Sequence, residues 1–237
     1  MGETRREVAS DADTVAARAA ELLAAELAAS HGPVAVCLSG GSTPRRLYQL
    51  LATEPWRGRI PWERAHWFWG DERCVPPDHP DSNYGMVRRA MLDSVNAPAA
   101  NVHPVRTLGL TPEEAAIGYE AELQGHYGGA TLEADRPLFT VNLLGLGEDG
   151  HTASLFPGTP ALQERRRWAV AVIGARPEPR ISLTYPALNS ARLTLMLVTG
   201  SGKRAVLAQL AAGADLPAAR IRPAGSMVWL LDRAAAE

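Results

Sequence analysis

The chain has 237 residues, with 24 Lys and Arg against 26 Asp and Glu, a formal net charge of −2. That balance excludes a global field that would attract nucleic acid, so an anionic ligand needs a local cluster of positive groups. No apolar run approaches the ~20 residues of a membrane span, Met1–Glu7 lacks the apolar stretch of a signal peptide, and Cys37 and Cys74 fit neither a zinc nor a redox spacing. A cytoplasmic protein with two reduced thiols, one of them buried, is therefore expected.

Residues 11–30 are rich in Ala and Leu at spacings of three and four, which predicts a helix. Val34–Leu38 reads as a buried strand ending in a glycine-rich turn, and Pro44 opens a helix to about Leu51. A second strand falls at 66–69, and helices at 83–94 and 112–127, with 95–112 a loop between them. Strands follow at 138–144, 168–173, 180–184, 192–198 and 227–231, with a loop at 174–180 and a helix at 202–211. Strands alternating with helices predict a single α/β domain over residues 1–237. Its sheet is expected to be mostly parallel and covered on both faces. Ligands in such sheets bind beyond the carboxyl ends of the strands.

Ser39-Gly40-Gly41-Ser42-Thr43-Pro44 joins the first buried strand to a helix. Gly40 and Gly41 let backbone N–H groups approach a ligand, and the helix start adds partial positive charge. Gly40, Gly41, Ser42 and Thr43 are candidate phosphate ligands, with Thr43 the expected N-cap. The segment is not a nucleotide P-loop, because Gly-Lys-Ser/Thr is missing. A plain capped turn is the competing explanation.

Gly145-Leu146-Gly147-Glu148-Asp149-Gly150 matches a dinucleotide fingerprint, but Pro157 and Pro160 leave room for only a short helix. The acidic ribose ligand expected some 20 residues on is absent from Trp168–Ala171. The glycines instead make a tight loop that sets His151 near the start of that short helix, a setting that suits a neutral general base. A neighbouring carboxylate would oppose that effect. The other five histidines lack such a setting, and no HxH, HExxH or Cys/His motif points to a catalytic metal.

Gly70-Asp71-Glu72-Arg73 follows the Trp67-Phe68-Trp69 strand. Arg73 is a candidate phosphate clamp, and Asp71 a candidate to bind sugar hydroxyls or to orient water or His151. A surface ion pair is the alternative. Asn83-Tyr84 either completes the pocket or simply starts a helix. Gly200-Ser201-Gly202-Lys203 repeats the strand–glycine turn–helix layout, and Lys203 is the only lysine among 24 basic residues. A compact ammonium suits a site where a guanidinium does not fit. Arg180 is a second cation at a strand boundary. Glu164–Arg167 reads as a solvated face. With no Gly-x-Ser-x-Gly elbow and no activated cysteine, water is the economical nucleophile.

Taken together, Leu38–Pro44, Gly70–Arg73, Ser82–Tyr84, Gly145–Pro157, Arg180–Thr184 and the glycine turn with Lys203 resemble the 6-phosphogluconolactonase family, in its order and over residues 34–210. The resemblance implies a Rossmann-like three-layer α/β/α fold shared with glucosamine-6-phosphate deaminases. It also implies hydrolysis of 6-phospho-D-glucono-1,5-lactone in the oxidative pentose phosphate pathway, without cofactor or metal. It makes His151 the general base and gives the phosphate to the first glycine loop with Arg73, Arg180 and Lys203; Asp71 remains a catalytic candidate that orients the water, His151 or the sugar. Backbone N–H groups of the 145–150 loop are expected at the oxyanion. The expected partner is a small phosphorylated sugar lactone, not nucleic acid or a membrane, and the chain is expected to be a monomer or small homo-oligomer. Two alternatives remain at this point: a glucosamine-6-phosphate deaminase-like isomerase and a non-catalytic sugar-phosphate sensor. The deaminases carry Asp-Glu-Tyr where this chain has Asp71-Glu72-Arg73, and Asn-Gly-His where it has Asp149-Gly150-His151.

Overall fold

A computed structural model describes residues 2–237. In chain order the elements are β1 (Thr4–Ala9), α1 (Ala12–Ala29), β2 (Val34–Leu38), α2 (Ser42–Leu51), β3 (Ala65–Trp69), β4 (Asp71–Arg73), α3 (Asn83–Ala90), α4 (Pro112–Tyr127), β5 (Phe139–Gly145), β6 (Ala169–Val172), β7 (Arg180–Leu183), α5 (Tyr185–Asn189), β8 (Ala191–Val198), α6 (Arg204–Ala211), β9 (Ser226–Asp232) and α7 (Arg233–Ala236). Six strands form an all-parallel sheet in the order β1-β9-β8-β5-β2-β3.

Helices cover both faces. Side chains of β3 alternate across the sheet: Trp69 meets Tyr84 of α3 edge-on at 5.4 Å, whereas Phe68 turns the other way and lies 4.9 Å from His126 of α4. All five residues of β2 are buried, as a central parallel strand requires. α1 is capped by Asp11, whose carboxylate accepts from the Thr14 amide at 2.8 Å, and it buries Val15, Ala19, Leu23 and Leu27. One cluster of buried apolar side chains runs from Val15 to Ala235, and on that basis we propose that the chain is one domain.

The elements depart from expectation in three places. β1 was not anticipated, because Thr4-Arg5-Arg6-Glu7 carries no apolar signal; as an edge strand with an alternating exposed face it is held by its register with Met227–Asp232. The strands anticipated at 168–173 and 180–184 do form, but outside the main sheet. β6 and β7 join β4 in a three-stranded antiparallel sheet, with the 174–179 loop as their connection. The helix expected over 83–94 stops at Ala90, and a 3-10 turn covers Leu92–Ser94.

The strand order sets where a ligand binds. From β2 the chain moves to β3 on one side, and β5, β8 and β9 build outward on the other. The connections from the carboxyl ends of β2 and β5 therefore diverge, leaving a crevice between those two strands. Leu38 leads there into the Gly40–Gly41 turn, and Gly145 into the loop that carries His151.

Candidate active site

The crevice is a cleft of about 230 Å³ lined by Ser39, Gly40, Gly41, Asp71, Arg73, Asn83, Gly145–Gly147, His151–Ala153, Arg180 and Lys203. An adjoining hollow of about 210 Å³ takes in Ser42 and Arg45 and shares Gly41, Arg73 and Asn83. Every candidate catalytic or phosphate-binding residue except Thr43 thus lines one of two contiguous spaces, whereas Tyr84 packs on Trp69 instead. Thr43 is not the N-cap. That position belongs to Gly41, at φ 105°, and the Thr43 hydroxyl is 2.6 Å from Thr199 Oγ1. A glycine cap leaves the α2 start without a side-chain acceptor. The N–H groups of Ser42 and Thr43, in the first turn, then have no helical partner, an arrangement suited to an anion. A larger hollow of about 740 Å³ near Arg165–Trp168 has no histidine and no glycine loop on its walls.

Gly40 is required by contact rather than by its backbone angles. A Cβ there would lie 1.9 Å from Asn83 Oδ1. Asn83 cannot retreat: it is 2 % exposed, and its amide donates to the Asp71 carbonyl at 2.9 Å. Gly40→Ala should lower Tm and narrow the cleft, at a cost of about 1–3 kcal/mol typical of overpacking. A thermal melt unchanged from the parent would show that Asn83 moves freely.

β4 positions three side chains with three different surroundings. Asp71 is buried; its carboxylate accepts from Ser154 Oγ at 2.6 Å and from Asn83 Nδ2 at 3.3 Å. Glu72 is also buried and accepts from the amides of Asn83 and Tyr84 at 2.8 and 2.7 Å, so it holds the start of α3. Burial pushes the Glu72 carboxyl up, against the pull of those amides. The surface ion pair considered for this segment does not form. Arg73 instead donates to the Asp81 carbonyl and stands directly opposite Arg180 in the β4–β7 register. Like charges facing each other across strands repel. Burial first, and Arg73 second, push the Arg180 guanidinium below its ordinary range. Nε of both arginines is buried and lacks a hydrogen-bond partner. Two cations held together with unused donors form a receptor for an anion.

His151 departs from expectation in its local structure. No helix follows it; residues 152–155 make a turn closed by a Thr152–Leu155 bridge, with Ala153 at φ 47°. A helix dipole therefore does not act on the imidazole, and Asp149 is its partner instead. His151 Nδ1 contacts Asp149 Oδ1, whose other oxygen accepts from Arg176 at 2.8 Å. Both His151 and Arg176 pack on the Phe156 ring, at 4.6 Å each. Partial burial alone would raise the Asp149 carboxyl, but the hydrogen bonds from His151, with Arg176, hold it below the usual carboxylate value. An ionised Asp149 accepting at Nδ1 fixes the tautomer that leaves the Nε2 lone pair free. Orientation of His151 therefore falls to Asp149, not to Asp71. Gly147 makes room for the ring: a Cβ there would lie 1.9 Å from Nδ1.

The amides of Gly147, Gly150 and His151 are turned inward, onto His151 O, Gly147 O and Asp149 Oδ1. Those three amides are therefore not available to an oxyanion. Lys203 enters the cleft from the 3-10 turn Ser201–Lys203 ahead of α6. The Gly200 amide donates to both oxygens of Asp232, at 3.0 and 3.1 Å, which ties that turn to the end of β9.

Residues 10–229 match the family model described as glucosamine-6-phosphate isomerases/6-phosphogluconolactonase. The chain belongs to that family. Within the glucosamine-6-phosphate isomerase/6-phosphogluconolactonase family it is 44 % identical to the 6-phosphogluconolactonase of Nostoc sp. over 97 % of this chain and 95 % of that one. It is 41 % identical to the Rattus norvegicus 6-phosphogluconolactonase, over 96 % of this chain and 88 % of the relative. Among solved structures, the Trypanosoma brucei 6-phosphogluconolactonase superposes with a TM-score of 0.84 at 30 % identity, covering 100 % of this chain and 98 % of that one. A monomeric glucosamine-6-phosphate deaminase shares the fold, with a TM-score of 0.80 at 19 % identity. Among the residues sequence reasoning missed, Asp149 had a signal, two positions before His151 in a glycine-rich loop. Arg45 had one too, in the first turn of the helix that follows the Gly40–Gly41 loop, whereas Arg176 had none, since it reaches Asp149 from the loop between β6 and β7.

Proposed function

We propose that this protein hydrolyses 6-phospho-D-glucono-1,5-lactone to 6-phospho-D-gluconate, the second step of the oxidative pentose phosphate pathway. The observation that carries the proposal is the convergence of His151, the sole lysine and the facing Arg73–Arg180 pair on one cleft at the β2/β5 crevice. The family relationship supports the same chemistry.

The phosphate docks among Arg73, Arg180, Lys203 and the Gly40–Thr43 turn, and its charge relieves the repulsion between the two guanidinium groups. This orients the lactone carbonyl toward His151. His151 Nε2 takes a proton from water as the oxygen adds to the carbonyl carbon. The tetrahedral oxyanion collapses, the ring C–O bond breaks, and the leaving ring oxygen takes the proton back from His151. Asp149 holds the imidazole through both transfers. Asp71 braces the cleft through Ser154 and Asn83 and presents its remaining acceptor capacity to sugar hydroxyls. Asp149→Asn should lower kcat at least about tenfold with little change in KM, because orientation of the base is lost while phosphate contacts remain. An unchanged kcat in that variant would remove Asp149 from the proton path.

A doubly charged phosphate ester does not cross a bilayer unaided, so the proposal puts the enzyme in the cytoplasm with its substrate. No helix among the described residues is long and apolar enough to cross a membrane. The test is lactone opening measured against the spontaneous reaction, run beside ammonia release from glucosamine 6-phosphate. Acceleration of the first alone is expected. Ammonia release would favour the deaminase-like alternative, and tight 6-phosphogluconate binding without acceleration a sensor.

A further inference from the structure

Outside the cleft, three histidines distant in sequence meet at the β3 edge of the sheet. His66 lies on β3, His103 on the segment that donates its amide to the Trp67 carbonyl at 2.9 Å, and His126 in the last turn of α4. One ring nitrogen from each can be chosen so that all three lie within 4.8 Å of one another. His66 Nδ1 and His103 Nε2 are already 3.0 Å apart. None of the three lines the cleft.

We propose that His66, His103 and His126 form a binding site for a divalent first-row transition ion, zinc by preference. Neutral imidazole suits such ions, and three histidines with an open fourth position make a recurrent zinc donor set. A second observation points the same way. Glu122, one turn before His126 on the same helix, lies 2.8 Å from His103 Nδ1. That carboxylate accepts the hydrogen bond from His103 Nδ1–H, which leaves the Nε2 lone pair facing His66 Nδ1. A ligating histidine whose far nitrogen is anchored by a carboxylate is the usual outer shell of a zinc site. His103 is further clamped by Phe68, stacked on it at 4.3 Å with planes 5° apart.

The rearrangement needed is small. In a tetrahedral site with Zn–N bonds of about 2.0–2.1 Å, ligand nitrogens stand about 3.3 Å apart. The His66–His103 pair opens by a few tenths of an ångström, and the widest separation closes by at most about 1.5 Å. His66 moves its proton from Nδ1 to Nε2, so the hydrogen bond is replaced by two metal–nitrogen bonds without net proton release. The ion would pin α4 and the segment carrying His103 to the edge strand β3. Its role is structural, since the cleft is built from other residues.

The experiment uses the full chain without a polyhistidine tag, stripped with a chelator and titrated with Co²⁺. One equivalent per chain should bind with the visible absorption of tetrahedral cobalt, Zn²⁺ should displace it, and excess Zn²⁺ should raise Tm. Glu122→Gln should weaken binding about 10- to 100-fold with lactone hydrolysis unchanged, and His126→Asn should abolish the one-equivalent phase. His151→Asn should bind cobalt like the parent, which separates this site from the cleft. Absence of saturable binding, or binding that survives His126→Asn but not His151→Asn, would overturn the proposal. Should His126→Asn not fold, anomalous diffraction from zinc-soaked crystals of the parent decides: a peak between the three rings is expected, and no peak there refutes the site.

Discussion

His151→Ala should lower kcat about 10²- to 10⁴-fold, the range for loss of a positioned general base, with KM for the phosphorylated lactone nearly unchanged. The split follows from the geometry. The imidazole sits on the loop leaving β5, whereas the cations that would hold the phosphate come from β4, β7 and the turn ahead of α6. Removing the ring therefore leaves the proposed anchoring contacts in place. His151→Gln is the informative companion, because it keeps a polar group against Asp149 but supplies no base. Both variants should fall by a similar factor. Rates are to be read above spontaneous ring opening in the same buffer, and a kcat equal to the parent's in either variant would remove His151 from the chemistry.

Lys203→Ala should act on the other half of the site, raising KM about 10- to 100-fold, since hydrogen bonds to charged groups contribute about 1.5–3 kcal/mol each. kcat should change less, provided the lactone still reaches His151. Lys203→Arg tests why the chain keeps a lysine here alone. Lys203 follows Ser201 and Gly202 in a tight turn, and a Cβ on Gly202 would already come within 2.8 Å of Glu148 Oε1. A planar, wider guanidinium in that space should recover only part of the affinity. Full recovery would mean that charge alone matters at this position. A KM indifferent to both substitutions would show that the phosphate is held elsewhere, by Arg73 and Arg180 without help from α6.

Arg73 and Arg180 also show how function and stability pull apart. They oppose each other across β4 and β7, with buried Nε atoms lacking partners. Such an arrangement costs stability, and the proposed phosphate would relieve it. Both arginines stood out in the sequence by their place at strand boundaries, but their facing each other did not. Their pairing depends on an antiparallel sheet built from strands more than 100 positions apart in the chain.

The same division runs through the whole molecule. Local chemistry was legible in the amino-acid sequence: the apolar runs of β2, β5, β8 and β9, the helical spacing of α1 and α4, the glycine turns at 40–41, 145–150 and 200–202, and the residue types that bind phosphate or move a proton. Those signals depend on side-chain period and on the backbone freedom of glycine, which act over a few residues. The tertiary structure alone decided the edge strand β1, the second sheet with its facing arginines, the pairing of His151 with Asp149 rather than Asp71, and the meeting of His66, His103 and His126. Each of these rests on register between segments or on the path of a loop, and such contacts form only when the sheet assembles and brings distant strand ends to one edge.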